Sequence, residues 1–308
     1  MKILIIIPHF GNWPPWFAYF LQTCETNPAF SWLLYSNCQK PEKYPANVKF
    51  IQQDLSDFNL LASQKLNLKI NIFNPYKICD IRPSFGKIFE DFTKNYDFWG
   101  YSDFDLFYGN IGHFITNNLL KEFDLISVRK DYFSGHFALY RNTKIVNTLY
   151  TKGNRFKEIF QDNKHHYAFD ERLNIFGRRL FHNKNLELAK LIYSKLEKLT
   201  SKIRFKFRQD SSNPFPDDMT NIVKNAKNEG LIRYYAEDLV SSDLWFLKQG
   251  IYSWEISWEN GELHDMVNHK ELLHFHIIQS KKNKNLKISK WEPSIGFTIT
   301  DSKLSTFN

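Results

Sequence analysis

Asp97-Phe98-Trp99-Gly100-Tyr101-Ser102-Asp103-Phe104-Asp105 is the stretch on which the reading of this chain turns. Phe98 to Ser102 is apolar enough for a central strand, and the two aspartates stand where that strand would end. Residues i and i+2 of an extended chain point to the same side, so Asp103 and Asp105 can face one site. The carboxyl edge of the strands is where open α/β sheets bind their ligands. Two hard oxygen donors there suit Mg²⁺ or Mn²⁺ bridging a diphosphate. Such an ion neutralises charge developing on a departing nucleotide diphosphate. A lone D-x-D pair is a weak signal in a chain with 33 acidic residues, and the strand before it is what raises it above chance.

Upstream of that stretch, strand-like and helix-like patterns alternate. Ile3–Ile7, Trp32–Tyr35 and Val48–Ile51 read as short buried strands. An aromatic-rich helical stretch from about Trp16 to Cys24 and a helix over Leu60–Leu68 lie between and after them. From Pro75 to Lys94 a further helical stretch sets Phe85, Ile88, Phe89 and Phe92 on one face. Downstream, Leu125–Arg129 and Phe137–Arg141 are two more strands. Strands alternating with helices predict an α/β fold whose sheet is mainly parallel and flanked by helices. The half after Lys184 is less regular, with Asn213-Pro214-Phe215-Pro216 marking a loop.

Bulk properties narrow the class. A chain of 308 residues, 43% apolar and 17% aromatic, accommodates one large α/β domain with a substantial core. No run approaches the ~18 apolar residues of a membrane span. Ile3–Ile7 is followed at once by Pro8 and His9, which makes it shorter than the ~7–15 residues of a signal-peptide core. Cys24, Cys38 and Cys79 have no metal-ligand spacing and read as buried thiols in a reducing cytoplasm. The net charge of +8 concentrates in Lys184–Arg208 and Lys281–Lys290. In the first of these, leucines and isoleucines recur at helical spacing, so a basic amphipathic helix is expected. Peripheral docking on an anionic membrane is one use of such a face, and a solvated face on a core-packed helix is the other. No recognition motif supports nucleic acid as a partner.

Two later clusters carry chemistry. Asp170-Glu171 follows His165-His166-Tyr167-Ala168-Phe169 and opens a helical stretch, Arg172 to Phe181. Carboxylates in a first helical turn are ordinary N-terminal electrostatics. The functional alternative is a carboxylate on the sugars, or a general base that deprotonates an acceptor hydroxyl. Further on, His274 and His276 share one face of a strand-like run, and Lys281 and Lys282 follow. Imidazoles there suit a metal site, and the lysines suit phosphate.

A strand ending in Tyr101-Ser102-Asp103-Phe104-Asp105, the downstream Asp170-Glu171 pair and the late His274-Phe275 with its lysines together resemble the GT-A nucleotide-sugar transferases. The last element resembles the His-Phe-x-Gly-x-x-Lys-Pro-Trp signature of the glycogenin and lipopolysaccharide galactosyltransferase group. More closely, the chain over about residues 1–282 is similar to a family of bacterial polysaccharide-biosynthesis glycosyltransferases. That likeness rests on Pro8-His9-Phe10-Gly11-Asn12-Trp13-Pro14, on Pro75 to Pro83 and on Trp99 to Asp105, together with Trp258-Glu259-Asn260-Gly261 and His274-Phe275.

The resemblance implies a GT-A domain over residues 1–282, with a donor-binding half of about 1–150 and an acceptor-side half of 151–282. Residues 283–308 would be a basic C-terminal tail. It implies a nucleotide-sugar donor, a UDP-sugar by analogy, Mn²⁺ or Mg²⁺ as cofactor, and a glycan or lipid-linked glycan as acceptor in capsule, O-antigen or lipopolysaccharide synthesis. His9, Phe10 and Gly11 would lie against the nucleoside, and Lys77, Asp80 and Arg82 would line the donor pocket. Asp103 would face the ribose or sugar, with Asp105 and His274 as direct metal ligands and His276 as the other candidate. Ser134-Gly135-His136 would form a sugar-binding turn, and Lys281 and Lys282 would meet phosphate. Asp170 would position sugar, and Glu171 would be the base if configuration inverts. The signature is broken here, because Ile277 and Ser280 stand where glycine and lysine would follow His274. Counted from His276, the lysine becomes Lys282. The competing classes are another metal-dependent nucleotide enzyme, such as a nucleotidyltransferase, and a non-catalytic glycan-binding module whose tryptophans stack on sugars. The first would want a phosphate-cradling glycine-rich loop, which twelve scattered glycines do not provide.

Overall fold

A computed structural model describes residues 1–171, 218–292 and 294–307. The expected amphipathic helix in Lys184–Arg208, the helical stretch Arg172–Phe181 and the loop Asn213–Pro216 lie outside the described residues. The strands in chain order are β1 (Ile3–His9), β2 (Phe30–Ser36), β3 (Val48–Gln52), β4 (Phe98–Ser102), β5 (Leu106–Tyr108), β6 (Leu125–Ser127), β7 (Phe137–Arg141) and β8 (Tyr234–Ala236). They continue with β9 (Ser241–Ser242), β10 (Glu255–Glu259), β11 (Glu262–Asp265), β12 (Lys270–Glu271), β13 (His274–His276), β14 (Lys287–Ile288), β15 (Gly296–Thr300) and β16 (Lys303–Phe307).

The main sheet has the order β3-β2-β1-β4-β7-β6-β8. Pairings β3–β2, β2–β1, β1–β4 and β6–β8 are parallel, while β7 is antiparallel to both β4 and β6. The architecture is therefore mixed α/β, with one reversed strand inside a sheet expected to be mainly parallel. Apolar residues alternate along β1 between two cores. Leu4 and Ile6 belong to one cluster, and Ile3, Ile5 and Ile7 to the other. A sheet covered on both faces needs such near-continuous apolar strands, which is why Ile3–Ile7 reads so clearly in the sequence. Helix α1 (Phe17–Glu25) closes one side and α2 (Leu55–Leu66) the other. The α2 start lies five residues ahead of the expected Leu60, because Asp54 and Asp57 form a reciprocal capping box there.

The part read as less regular contains a second sheet, β12-β11-β10-β15-β16-β14, almost wholly antiparallel. Asn260 and Gly261, with φ of 50° and 92°, make the two-residue turn between β10 and β11. Asn-Gly is the residue pair that such left-handed turns favour. Residues 283–308, expected as a basic tail, include β14, β15 and β16, and β15 lies between β10 and β16. Their alternate residues Phe297, Ile299 and Leu304 are buried in a third core with Trp254, Ile256 and Trp258. A small sheet, β5-β13-β9, joins the two larger ones, and the Trp258 indole N–H donates to the Tyr108 carbonyl at 2.9 Å. Among the described residues no helix is long and apolar enough to cross a membrane.

Candidate functional site

The topology gathers the expected residues at one edge. β1 ends at His9 and β4 at Ser102, side by side and parallel. Because β7 runs the other way, its start lies at the same edge, and the Asp103 N–H donates to the His136 carbonyl at 3.0 Å. Ser134-Gly135-His136 therefore borders Asp103 without any element of its own. β5 begins one residue after Asp105 and pairs antiparallel with β13 in the register His276↔Leu106 and His274↔Tyr108. That register sets His276 beside Asp105, across 171 residues of chain, with Nε2 to Oδ2 at 3.0 Å. His274 is two residues along the strand, about 7 Å further on.

Two cations meet the acidic pair. The Lys281 ammonium donates to Asp105 Oδ2, and the Arg82 guanidinium donates to Asp103 and to the Gly135 carbonyl. Arg82 also approaches Asp170 at 3.4 Å, so one side chain links carboxylates from two distant segments. Burial alone would raise the Asp105 carboxyl, but the facing His276 and Lys281 charges hold it below the usual carboxylate range. For His276 burial lowers the imidazole pKa, and Asp105 outweighs it and raises the net value. Ligand atoms of Asp103, Asp105 and His276 lie within 4.8 Å of one another. Two carboxylates and an imidazole so placed fit a divalent cation of the Mn²⁺ or Mg²⁺ type.

Burial of His274 is complete, and neither ring nitrogen has a hydrogen-bond partner among the described residues. Burial, then the neighbouring His276 charge, pushes its pKa well down, so it is a neutral ring. It packs edge-on to Tyr108 and His136, at 6.1 and 5.1 Å between centroids. His136 in turn lies 5.0 Å from the His276 ring and within hydrogen-bond reach of the Ser134 hydroxyl.

Asp170 and Glu171 reach the same edge from below Arg82. Burial pushes the Asp170 carboxyl well up, with Arg82 opposing and Glu171 adding to the shift. Glu171 is raised by burial first and by the Asp103 charge second. Gly135 is what admits Glu171: a Cβ at that position would stand 2.2 Å from the Glu171 Cγ. The segment is held by Asp80, fully buried, which accepts from the N–H groups of Tyr167 at 2.7 Å and Phe169 at 2.9 Å and from the Lys77 ammonium at 2.8 Å. Lys77 and Asp80, expected to line a donor pocket, thus meet each other and the backbone that carries Asp170.

Among the other expected residues, His9 Nε2 bonds the Asn12 carbonyl at 2.8 Å and the ring stacks on Trp13 at 5.4 Å. Gly11 adopts φ 124°, with its N–H on the Asn37 side chain. Phe10 turns into the core against Tyr35 and Phe58. Lys282 is exposed on the turn Ser280–Lys282, so only Lys281 of that pair touches the acidic residues.

Sequence reading missed three residues. Asp243, almost fully buried, accepts from the N–H groups of Ile278, Gln279 and Ser280 at 2.6–2.9 Å and so shapes the turn that presents Lys281. Arg129 and Tyr132 stand between β6 and β7, and the Arg129 charge acts on His136, His274 and Glu171. Only the Ser242-Asp243 start of the helix Asp243–Lys248 was visible as a capping signal, and it says nothing about residues 278–280.

Comparison with known proteins adds the following. Two solved structures resemble the chain distantly. One is the galactosyltransferase LgtC in complex with donor and acceptor sugar analogues, at 12% identity and a TM-score of 0.33 over 53% of this chain. The other is an active-site mutant of LgtC, at 12% identity, a TM-score of 0.31 and the same 53%. In both, the matched part spans 66% of the LgtC chain, just under two thirds of its length. No curated protein matches by sequence. Residues 5–308 match the model of a family of unknown function, DUF6625, and the chain belongs to that family.

Proposed function

We propose that this protein is a metal-dependent glycosyltransferase of the GT-A type, moving a sugar from a nucleotide-sugar, with UDP as the preferred nucleotide, to a glycan acceptor. The observation that carries the reading is the convergence of Asp103, Asp105 and His276 at the carboxyl edge of β4, with Arg82 and Lys281 bound to the same two aspartates. A site that combines a cation-binding donor set with two further cations suits a diphosphate. Asp103, Asp105 and His276 would hold Mn²⁺ or Mg²⁺, and a bound ion of this kind neutralises charge on a leaving diphosphate.

The chain's own groups supply the rest. Arg82 and Lys281 are free to exchange their aspartate contacts for phosphate oxygens, a geometry that Arg reads in bidentate fashion. The His9–Gly11 turn and the Trp13 ring border the nucleoside side. Asp170, held by Arg82, hydrogen-bonds the donor sugar. Glu171 takes the proton of the acceptor hydroxyl as that oxygen attacks the anomeric carbon. The bond from this carbon to the diphosphate oxygen breaks, and its electron pair leaves with the nucleotide. A raised carboxyl pKa brings Glu171 closer to the working range of a general base. The single-displacement route inverts configuration. We assign the acceptor to surface-polysaccharide synthesis on the cytoplasmic side, in keeping with the family resemblance.

Thermal stability measured with UDP, GDP, CDP and ADP, each with and without Mn²⁺, tests the reading. A rise with UDP plus Mn²⁺ that excess chelator removes is expected. A chain indifferent to every nucleotide, or one shifted equally in chelator, would sink the proposal.

A further inference from the structure

Next to the candidate transfer site the described residues enclose a cavity of about 520 Å³. Its wall is built where the two larger sheets meet, from the loop after β6, from β9 and the start of the helix Asp243–Lys248, and from the β11–β12 turn. Trp245 lines it, more than a third exposed. Such an aromatic face offers the flat apolar platform on which a sugar ring packs its C–H groups. Arg129 and Tyr132 form the side towards the transfer site, because their carbonyls and the Ser134 N–H all bond the same Ser127 hydroxyl. Arg129 lines the cavity, and its guanidinium N–H groups are donors from which an entering oxygen can accept.

Charge decides what kind of oxygen. Arg129, Lys270, Asp131 and Asp238 all line the cavity, with Arg129 3.9 Å from the Asp238 carboxylate and the Lys270 ammonium 3.4 Å from the Asp238 carbonyl. A third carboxylate, Asp265, is spent on the turn, accepting from the Val267 N–H at 2.9 Å, the Asn268 N–H at 3.0 Å and the Asn268 side chain at 2.7 Å. With positive groups matched or outnumbered, the cavity disfavours phosphate or carboxylate ligands and favours hydroxyl groups that donate and accept. That sets it apart from the Arg82 and Lys281 end of the edge.

We infer that this cavity is the acceptor subsite, and that it takes an uncharged, hydroxyl-rich glycan stacked on Trp245, with its reactive hydroxyl directed past Tyr132 towards Glu171. The inference rests on the transferase reading for its role in the reaction, but binding of the glycan can be measured alone.

Saturation-transfer NMR on the full chain with lactose and maltotriose, and with digalacturonate as the anionic comparison, tests it. The shift in melting temperature with UDP and Mn²⁺ is read on the same samples. Ring-proton saturation is expected for a neutral sugar, at least fivefold weaker in Trp245→Ala and in Asn268→Ala on the β11–β12 turn, and weaker for digalacturonate. No neutral-sugar signal, a signal unchanged in both variants, or tighter binding of digalacturonate overturns the inference, and a UDP–Mn²⁺ shift that persists would leave the transferase reading standing. Conversely, variant-sensitive sugar binding without any nucleotide shift upholds the glycan site and removes the transferase reading.

Discussion

Asp80 and Asp105 are both buried carboxylates with a lysine and a histidine close by, yet different groups supply their hydrogen bonds. Asp80 has Lys77 at 2.8 Å and His166 at 3.8 Å, and Asp105 has Lys281 and His276. Both groups, joined by a second aspartate, have donor atoms close enough together to hold a cation. Around Asp80 the lone pairs are already engaged by two backbone N–H groups, and Lys77 is only 3% exposed. Around Asp105 the cation partner comes from a surface turn and is 34% exposed. A buried carboxylate saturated by backbone donors is a structural pin. One balanced by a side chain that can swing into water keeps its oxygens available for a ligand. Under the proposed function, the same residue types divide into scaffold and chemistry according to who supplies the hydrogen bonds.

The strongest break of that comparison is Asp105→Asn against Asp80→Asn. Losing several kcal/mol of charge stabilisation at a metal centre corresponds to about 10³-fold or more in rate. Asp105→Asn is expected to lose transfer and the Mn²⁺-dependent thermal shift, with a modest loss of stability without metal because His276 and Lys281 lose their carboxylate partner. If Asp80→Asn abolishes the Mn²⁺ shift equally, the division fails.

Next in size is the stability of the pin. Asp80→Ala leaves Lys77 buried without its carboxylate, a change that costs about 3 kcal/mol or somewhat more. Urea unfolding should show this loss, and a midpoint within error of the parent would contradict the role given to Asp80. Smaller again is the contrast between the histidines. His276→Ala is expected to weaken apparent Mn²⁺ affinity roughly 10–100-fold, the scale seen when a ligand loses its support. His274→Phe should leave it within twofold, because that ring is neutral and enclosed by Tyr108 and His136. A Mn²⁺ titration that ranks the two the other way would return the ligand role to the His-Phe dipeptide.

The smallest effect is pH-dependent. Asp162 accepts from the Tyr167 hydroxyl at 2.6 Å and the Lys164 N–H at 2.7 Å, bracing the segment that leads to Asp170. Burial would raise its carboxyl, but these bonds hold it below the usual range. A depressed folded pKa contributes stability that is present above the unfolded carboxylate value of about 4 and is lost as pH falls through the folded value. Asp162→Asn is thus expected to cost about 1 kcal/mol at pH 7, with the gap to the parent closing below about pH 4. A gap that stays constant down to pH 2.5 would show that the charge is not what matters.

Legibility followed the range of the interactions. The strands of the main sheet up to β7 and the helix α1 lie within a few residues of where their patterns place them, because period and burial are local properties. The reversal of β7 was not visible: five residues reading Phe-Ala-Leu-Tyr-Arg pair equally well in either direction. The second sheet escaped because its strands are short, although Asn260-Gly261 was a hairpin signal in plain view. At the site, Asp103 and Asp105 could be found from one strand and its end. Asp243 and Arg129 could not, since each acts on residues far away in the chain.

What the amino-acid order determines by itself is therefore the local part: an apolar strand running into two same-side carboxylates, two histidines two residues apart, and a chemistry of hard donors and cations. Only the tertiary structure decided which of those histidines stands beside Asp105, because that depends on the β5–β13 register, and a shift of two residues would exchange them. It likewise decided that Arg82 spans Asp103 and Asp170 while Lys77 and Asp80 hold each other. The physical reason is that side-chain period is encoded residue by residue, whereas register and burial are set by the whole core packing at once.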